Sequence, residues 1–173
     1  MNYKDIKPFT PDGGYQVDIP LAYLIDSVDR YTKEYDLDLD PDFQRGHVWT
    51  DNQRIRYVEY LFREGQSSRI IYFNHHSWQG SYNKSHRLTI VDGLQRLTAC
   101  LMILNDEIPI FGTLKSEFTG KMSIMIGLKF AINNLKTRAE VLQWYLDLNS
   151  GGTVHADSEI KRVKALLETE QKS

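Results

Sequence analysis

Leu88-Thr89-Ile90-Val91-Asp92-Gly93-Leu94-Gln95-Arg96-Leu97-Thr98 is the stretch on which the fold turns. An apolar strand pattern runs up to Asp92-Gly93. Beyond it Leu94, Leu97, Leu101 and Leu104 recur at helical spacing. The period thus predicts a strand that feeds directly into a helix, with Asp92 at the strand tip and Arg96 in the first helical turn. A helix start presents free backbone N–H groups and the positive end of the helix dipole. Glycine lets an anionic ligand approach the backbone closely. A carboxylate, an amide and a guanidinium within five residues at such a turn make a polar site in a place suited to phosphate.

Two readings of this turn compete. In one, Arg96 makes paired hydrogen bonds to a phosphate, Asp92 holds a magnesium ion or orients a water, and Gln95 positions that water or binds a base or ribose. In the other, Asp92 caps the helix and Arg96 is an exposed helical residue.

Outward from this turn the chain alternates short strands and helices. Residues 1–14 hold Pro8, Pro11, Gly13 and Gly14 and read as an irregular arm. Tyr15 to Ile19 suits a strand, Leu21 to Val28 a helix, and Leu37 to Asp40 a short strand stopped by Pro41. Residues 41–49 read as a loop. Thr50 is a good N-cap, and Gln53 can complete a capping box for a helix facing Ile55, Val58, Leu61 and Phe62 inward, with Gly65 to end it. Ile70 to Phe73 suits a buried strand. Strands are also expected at Ile108 to Phe111 and within Met122 to Ile132, and helices at Arg138 to Leu148 and Ser158 to Leu167. This order predicts an α+β domain around a small sheet.

Composition narrows the class. A chain of 173 residues suits one domain and can bury a core without metal or disulfide support. The single Cys100 excludes an internal disulfide framework, and beside Leu97 and Leu101 it reads as a buried thiol. No signal peptide pattern and no membrane-spanning apolar run occur, so the expected location is the cytoplasm. The net charge of −2 argues against nonspecific coating of nucleic acid. Residues 45–96, however, hold eight bases against four acids, while the rest holds 13 bases and 19 acids. Positive charge is therefore gathered around the strand-to-helix turn.

Two other clusters carry polar chemistry. Phe43-Gln44-Arg45-Gly46-His47-Val48-Trp49 sets an arginine and a histidine between two aromatics in a loop. Leu148-Asn149-Ser150-Gly151-Gly152-Thr153 follows a helix; its glycines suit a C-cap, and Asn149 with the backbone near Gly151 could close one side of a pocket. His75, His76 and His86 lack carboxylate or cysteine companions at metal-ligand spacing. There is no P-loop and no nucleophile elbow.

In order, Phe-Gln-Arg with a following Trp, an Asp-Gly-x-Gln-Arg box and an Asn-x-Gly-Gly segment resemble the N-terminal domain of GmrSD-type restriction endonucleases, over roughly residues 17–167. That family takes its motif name from Asp-Gly-Gln-Gln-Arg and shares a core with ParB and sulfiredoxin. The resemblance implies a ParB/sulfiredoxin-like fold and a domain that binds nucleotides and, in some members, hydrolyses nucleoside triphosphates. In systems that restrict phage DNA it implies regulation of an HNH-type nuclease domain. Residue by residue, the box falls on Asp92, Gly93, Gln95 and Arg96, the upstream motif on Gln44, Arg45 and Trp49, and the downstream segment on Asn149, Gly151 and Gly152.

The expected site is then Asp92, Gln95 and Arg96 for chemistry. Gln44, Arg45, His47, Gly93, Arg96, Asn149 and Gly151 would bind nucleotide and phosphate, with Mg2+ at Asp92. Leu94 stands where the family usually has Gln, which bears on hydrolysis more than on binding. The chain as given has no room for an HNH domain, so it reads as a stand-alone regulator, a phage-borne member or a partner of a separately encoded nuclease; the expected partners are a nucleoside triphosphate, DNA, and a separately encoded nuclease or other protein. The alternatives are a DNA-interacting module, which the ParB likeness permits, and a non-catalytic interaction protein that retains the fold.

Overall fold

A computed structural model of the chain describes residues 6, 9–11, 14–44, 46, 48–78, 86–150 and 157–172. Among these residues the elements are β1 (Tyr15–Pro20), a 3-10 turn (Leu21–Tyr23), α1 (Leu24–Tyr35), α2 (Asp51–Phe62), β2 (Ile70–Asn74), β3 (Thr89–Asp92), α3 (Leu94–Leu104), β4 (Gly127–Asn133), α4 (Arg138–Asn149) and α5 (Asp157–Glu170). The strands form one mixed sheet in the order β1-β4-β2-β3. β4 lies parallel to β2, and the β1–β4 and β2–β3 pairs are antiparallel. The fold is α+β, as the alternation of periods implies. No helix among the described residues is long and apolar enough to cross a membrane.

The sheet carries a core on each face. Ile71 and Phe73 of β2, Ile90 of β3, Phe130 and Ile132 of β4 pack with Leu24, Val58, Leu61, Leu97 and Ile103 from the first three helices. Tyr72 and Val91 point to the second core, with Trp144, Tyr145, Val163 and Leu167 of α4 and α5. Because both faces are covered, the consecutive residues Ile90 and Val91 are both fully buried, and a bulge interrupts the strand between Ile90 and Asp92. Tyr72 pairs with Asp92 but Phe73 pairs with Ile90, so β3 carries one extra residue at Val91. Such a bulge re-aims the side chain beside it, here Asp92 at the strand tip.

Helix starts follow the sequence closely. Thr50 Oγ1 accepts from the Gln53 amide at 3.4 Å, and Gln53 Oε1 accepts from the Thr50 amide at 2.8 Å, completing the expected capping box. Thr137 and Glu140 make the same reciprocal arrangement for α4. Thr50→Ala is expected to cost about 1 kcal/mol. A lower urea midpoint at unchanged slope is the readout.

Three local expectations need correction. Ile108 to Phe111 forms no strand; Phe111 and Gly112 both take positive φ, and Ile110 and Thr113 exchange backbone hydrogen bonds at 3.0 and 2.9 Å, so the chain reverses there. Leu37 to Asp40 contributes only one bridge, Asp38 to Thr89. Gly65 does not end α2, because Glu64 takes the left-handed conformation. Gly65 instead lies under the Tyr60 ring, where a Cβ would come within 2.2 Å of it.

Candidate functional site

The strand-to-helix turn is built as its sequence predicts, with one change of role. Gly93, at φ 102°, is the residue that precedes α3, and no side chain caps this helix. Asp92 therefore does not cap. Its carboxylate accepts a hydrogen bond from Arg96 Nη2 at 2.5 Å, forming an ion pair four residues apart. Arg96 Nη1 donates to the Ser68 carbonyl at 3.2 Å. Both side chains reach the surface, Arg96 at 16% exposure and Asp92 at 29%. The result is a carboxylate and a guanidinium, held in register, beside an uncapped helix start.

Gln95 lies inside rather than at the surface, with 8% exposure. Its Oε1 accepts the backbone amides of Val48 (3.0 Å) and Trp49 (3.1 Å), and its Nε2 donates to the Gly46 carbonyl at 3.0 Å. The amide is thus engaged at both ends by the upstream loop. It serves as a clamp on that loop.

The loop is fixed from three further directions. Gln44 Nε2 donates to the carbonyl of Val91, the bulged residue of β3, at 2.6 Å. Arg162 of α5 donates to three successive carbonyls, those of Asp42 (2.5 Å), Phe43 (3.0 Å) and Gln44 (3.2 Å). Arg138 of α4 holds Asp42 through both carboxylate oxygens and also reaches Glu170 at 3.0 Å. The Arg138 guanidinium keeps the Asp42 carboxyl below its ordinary range. Phe43 stacks edge-on against Tyr145 at 5.6 Å and lies in the second core.

The first two sequence clusters therefore meet at one place. The third approaches indirectly. Asn149, the last residue of α4, donates to the Tyr145 carbonyl at 2.7 Å, and Tyr145 packs on Phe43. Arg45, His47, Gly151 and Gly152 lie outside the described residues.

Trp49, the last residue of the upstream motif, is backed by residues that no motif marks. Trp49 packs edge-on against Tyr57 at 5.5 Å. Tyr57 donates its hydroxyl to Ser68 O at 2.9 Å, the same carbonyl that receives Arg96. Burial raises the Tyr57 phenol well above its usual pKa. Ser68 itself takes a left-handed φ of 57°, which only a loop held on several sides sustains at a non-glycine position. No motif marks Ser68 or Arg162; only the fold brings them in.

Much of the positive charge of the middle segment is consumed internally. Arg54 pairs with Asp51 at 2.6 Å, and Arg87 bridges Asp36 and Asp38 at 2.8 and 3.1 Å. Arg69 donates to the Gly65 and Met125 carbonyls. Cys100 is buried, and burial pushes its thiol pKa up, which leaves it unreactive. Among the described residues no group of three His, Cys, Asp or Glu side chains could hold a metal ion. Asp92, the expected Mg2+ ligand, already faces the Arg96 guanidinium; such an ion is ordinarily held largely by substrate phosphates and water.

The sequence profile of the GmrSD restriction endonuclease, N-terminal domain, matches residues 24–123, more than half of the chain. That span contains the Phe-Gln-Arg loop and the Asp92–Arg96 turn; α4 and α5 lie beyond it. No curated protein and no solved structure matches the chain.

Proposed function

The chain belongs to the family of GmrSD restriction endonuclease N-terminal domains, and from that membership we propose that it is a nucleotide-binding regulatory domain of a restriction system directed against phage. The observation that carries this reading is the Asp92–Arg96 pair at the uncapped start of α3. The α3 amides and the Arg96 fork together offer donors for a phosphate. An incoming phosphate competes with Asp92 for Arg96, so binding loosens the ion pair and frees a carboxylate. In this reading Arg45, His47 and Asn149 supply further contacts to the nucleotide. A nuclease domain is the regulated partner.

Leu94 is buried against the first core and contributes no polar group. With Gln95 engaged by the loop, the side chains left for water activation among the described residues of the turn reduce to Asp92. The arrangement thus supports binding more strongly than hydrolysis, and a sensor fits it better than an efficient triphosphatase.

Isothermal calorimetry with ATP, GTP, CTP and UTP, each with magnesium, tests this. Heat is expected with the wild-type protein. Arg96→Ala is expected to weaken affinity about 10- to 100-fold, as for loss of a hydrogen bond to a charged group. Absence of heat with all four nucleotides would overturn the reading. A phosphate-release assay on the same samples separates sensor from enzyme.

A further inference from the structure

The sheet has two edges, and the chain treats them differently. The outer side of β3 is covered. The Asp38 amide donates to the Leu88 carbonyl at 2.8 Å, the Ile90 amide donates to the Asp38 carbonyl at 2.9 Å, and Gln44 takes up the Val91 carbonyl. β1 pairs only with β4 and forms the other edge. Which of its groups face outward follows from the ladder, because an antiparallel pair alternates residues that exchange hydrogen bonds with residues that do not. The Leu21 amide donates to the Ile126 carbonyl at 2.8 Å, one step beyond the Pro20–Gly127 pair. The Lys129 amide, opposite Asp18, turns away from β1 and donates to the Arg69 carbonyl at 2.9 Å. Val17 and Ile19 therefore bond to β4, and the N–H and C=O groups of Gln16 and Asp18 point out of the sheet. None of these groups meets a partner among the described residues.

Nothing described before β1 covers this edge. Thr10 is held by Asp147 of α4, and the Pro11 carbonyl by Asn133 Nδ2 at the end of β4. Gln16 and Asp18 are both exposed. Proteins guard open edges with lysines, prolines or bulges, since unpaired backbone is a template for another strand. β1 has no lysine, and its register with β4 is unbroken from Tyr15 to Pro20. Asp18 is its single charge, and Pro20 closes one end.

We propose that β1 is a self-association edge whose occupant is β1 of a second copy of this chain, antiparallel about a two-fold axis through Val17. In that register Gln16 lies opposite Asp18 of the second copy. The two residues exchange backbone bonds in both directions, which satisfies every outward group named above. The Gln16 carboxamide also meets the Asp18 carboxylate, Val17 meets its own counterpart, and Tyr15 meets Ile19. Lys129, 3.8 Å from Asp18, offsets part of the acid's charge. The neighbouring registers are worse. An axis through Asp18 sets two carboxylates face to face and places Gln16 against Pro20, which has no N–H to give. An axis through Gln16 leaves Ile19 and Pro20 with no strand residue opposite. The strand's own order of residues thus identifies its partner, and the two-fold pairing joins two sheets into one through identical patches. The inference is independent of nucleotide binding, because β4 and β2 separate β1 from the strand that carries Asp92.

Sedimentation equilibrium of the full chain at rising concentration, combined with amide hydrogen exchange, tests it. A reversible monomer–dimer equilibrium is expected. The Gln16 and Asp18 amides should gain protection as the dimer forms, whereas those of Val17 and Ile19 are slow throughout. Gln16→Glu, which faces Asp18 with a like charge, is expected to weaken the dimer about threefold or more, and Gln16→Lys to strengthen it by a similar factor. Gln16→Pro removes an outward N–H at an edge position that tolerates proline, and is expected to abolish the dimer. An unchanged thermal melt of dilute protein confirms that each variant is folded. A chain that stays monomeric up to about 1 mM would overturn the proposal. So would a dimer in which the Gln16 and Asp18 amides exchange as in the monomer, or a dimer that Gln16→Glu and Gln16→Lys shift in the same direction. A monomer in which these two amides are already slow would also overturn it, and would assign the edge to a segment of the same chain.

Discussion

Gln95→Leu is expected to lower stability by about 3 kcal/mol and to release the loop between Phe43 and Thr50. The substitution keeps an apolar side chain of similar length but removes every polar atom of the clamp. The amides of Val48 and Trp49 and the carbonyl of Gly46 lose their partner together. A buried backbone group left unpaired costs about 1–3 kcal/mol, and water reaching the loosened loop offsets part of the total. Hydrogen exchange at the Val48 and Trp49 amides should accelerate in step with the fall in the urea midpoint. Gln95→Glu should lie between the two, since a carboxylate still accepts from both amides but repels the Gly46 carbonyl. A loss below about 0.5 kcal/mol with unchanged exchange would show that Gln44 and Arg162 hold the loop without Gln95.

Gly93→Ala is expected to be at least as damaging, for reasons of space as well as conformation. At φ 102° an alanine sits in a region that costs an L-residue about 1–2 kcal/mol. Its Cβ would also lie 2.7 Å from Ile71 Cδ1 and 3.2 Å from both Ile71 Cα and Arg96 Nη2. Ile71 is fully buried in β2, so its backbone cannot retreat without disturbing the sheet. Strain and clash together are expected to reach about 3 kcal/mol or more. Because the displaced neighbour is Arg96, nucleotide affinity in the folded fraction should fall as well. Equilibrium unfolding in urea together with calorimetry of the surviving native protein checks both. A variant within about 1 kcal/mol of wild type would mean that the turn relaxes freely, and that the glycine serves ligand approach alone.

What the sequence disclosed, and what it hid, follow from range. The strand-to-helix change at Asp92-Gly93 and the Thr50–Gln53 capping box rest on neighbours a few residues apart, and both are found where expected. The Thr137–Glu140 box carries the same local signal, although the sequence reading starts this helix at Arg138 without naming its cap. The strand expected at Ile108 to Phe111 failed because two successive positive-φ residues override an apolar pattern. The role of Gln95 was hidden because its partners lie 46–49 residues away, and an amide at a helix start looks the same whether it faces solvent or a loop. Arg162 was hidden more deeply: nothing about an arginine on an amphipathic helix reveals that it will meet three carbonyls of a distant loop. The ordered set of motifs pointed to the family, and the profile match over residues 24–123 agrees.

The three bonds from Arg162 have a consequence for how the protein comes into being. They join residues 118–120 positions apart in the chain. A ribosome adding about 5–20 residues per second needs roughly 6–24 s to travel from Asp42 to Arg162. During that interval the nascent loop lacks its outer support, and closing so long a span adds to the entropic cost of the final contacts. The loop beside Asp92 and Arg96 therefore gains its outer support only once α5 has been made and docks, and a growing chain passes through a period in which its sheet can form before this loop is held.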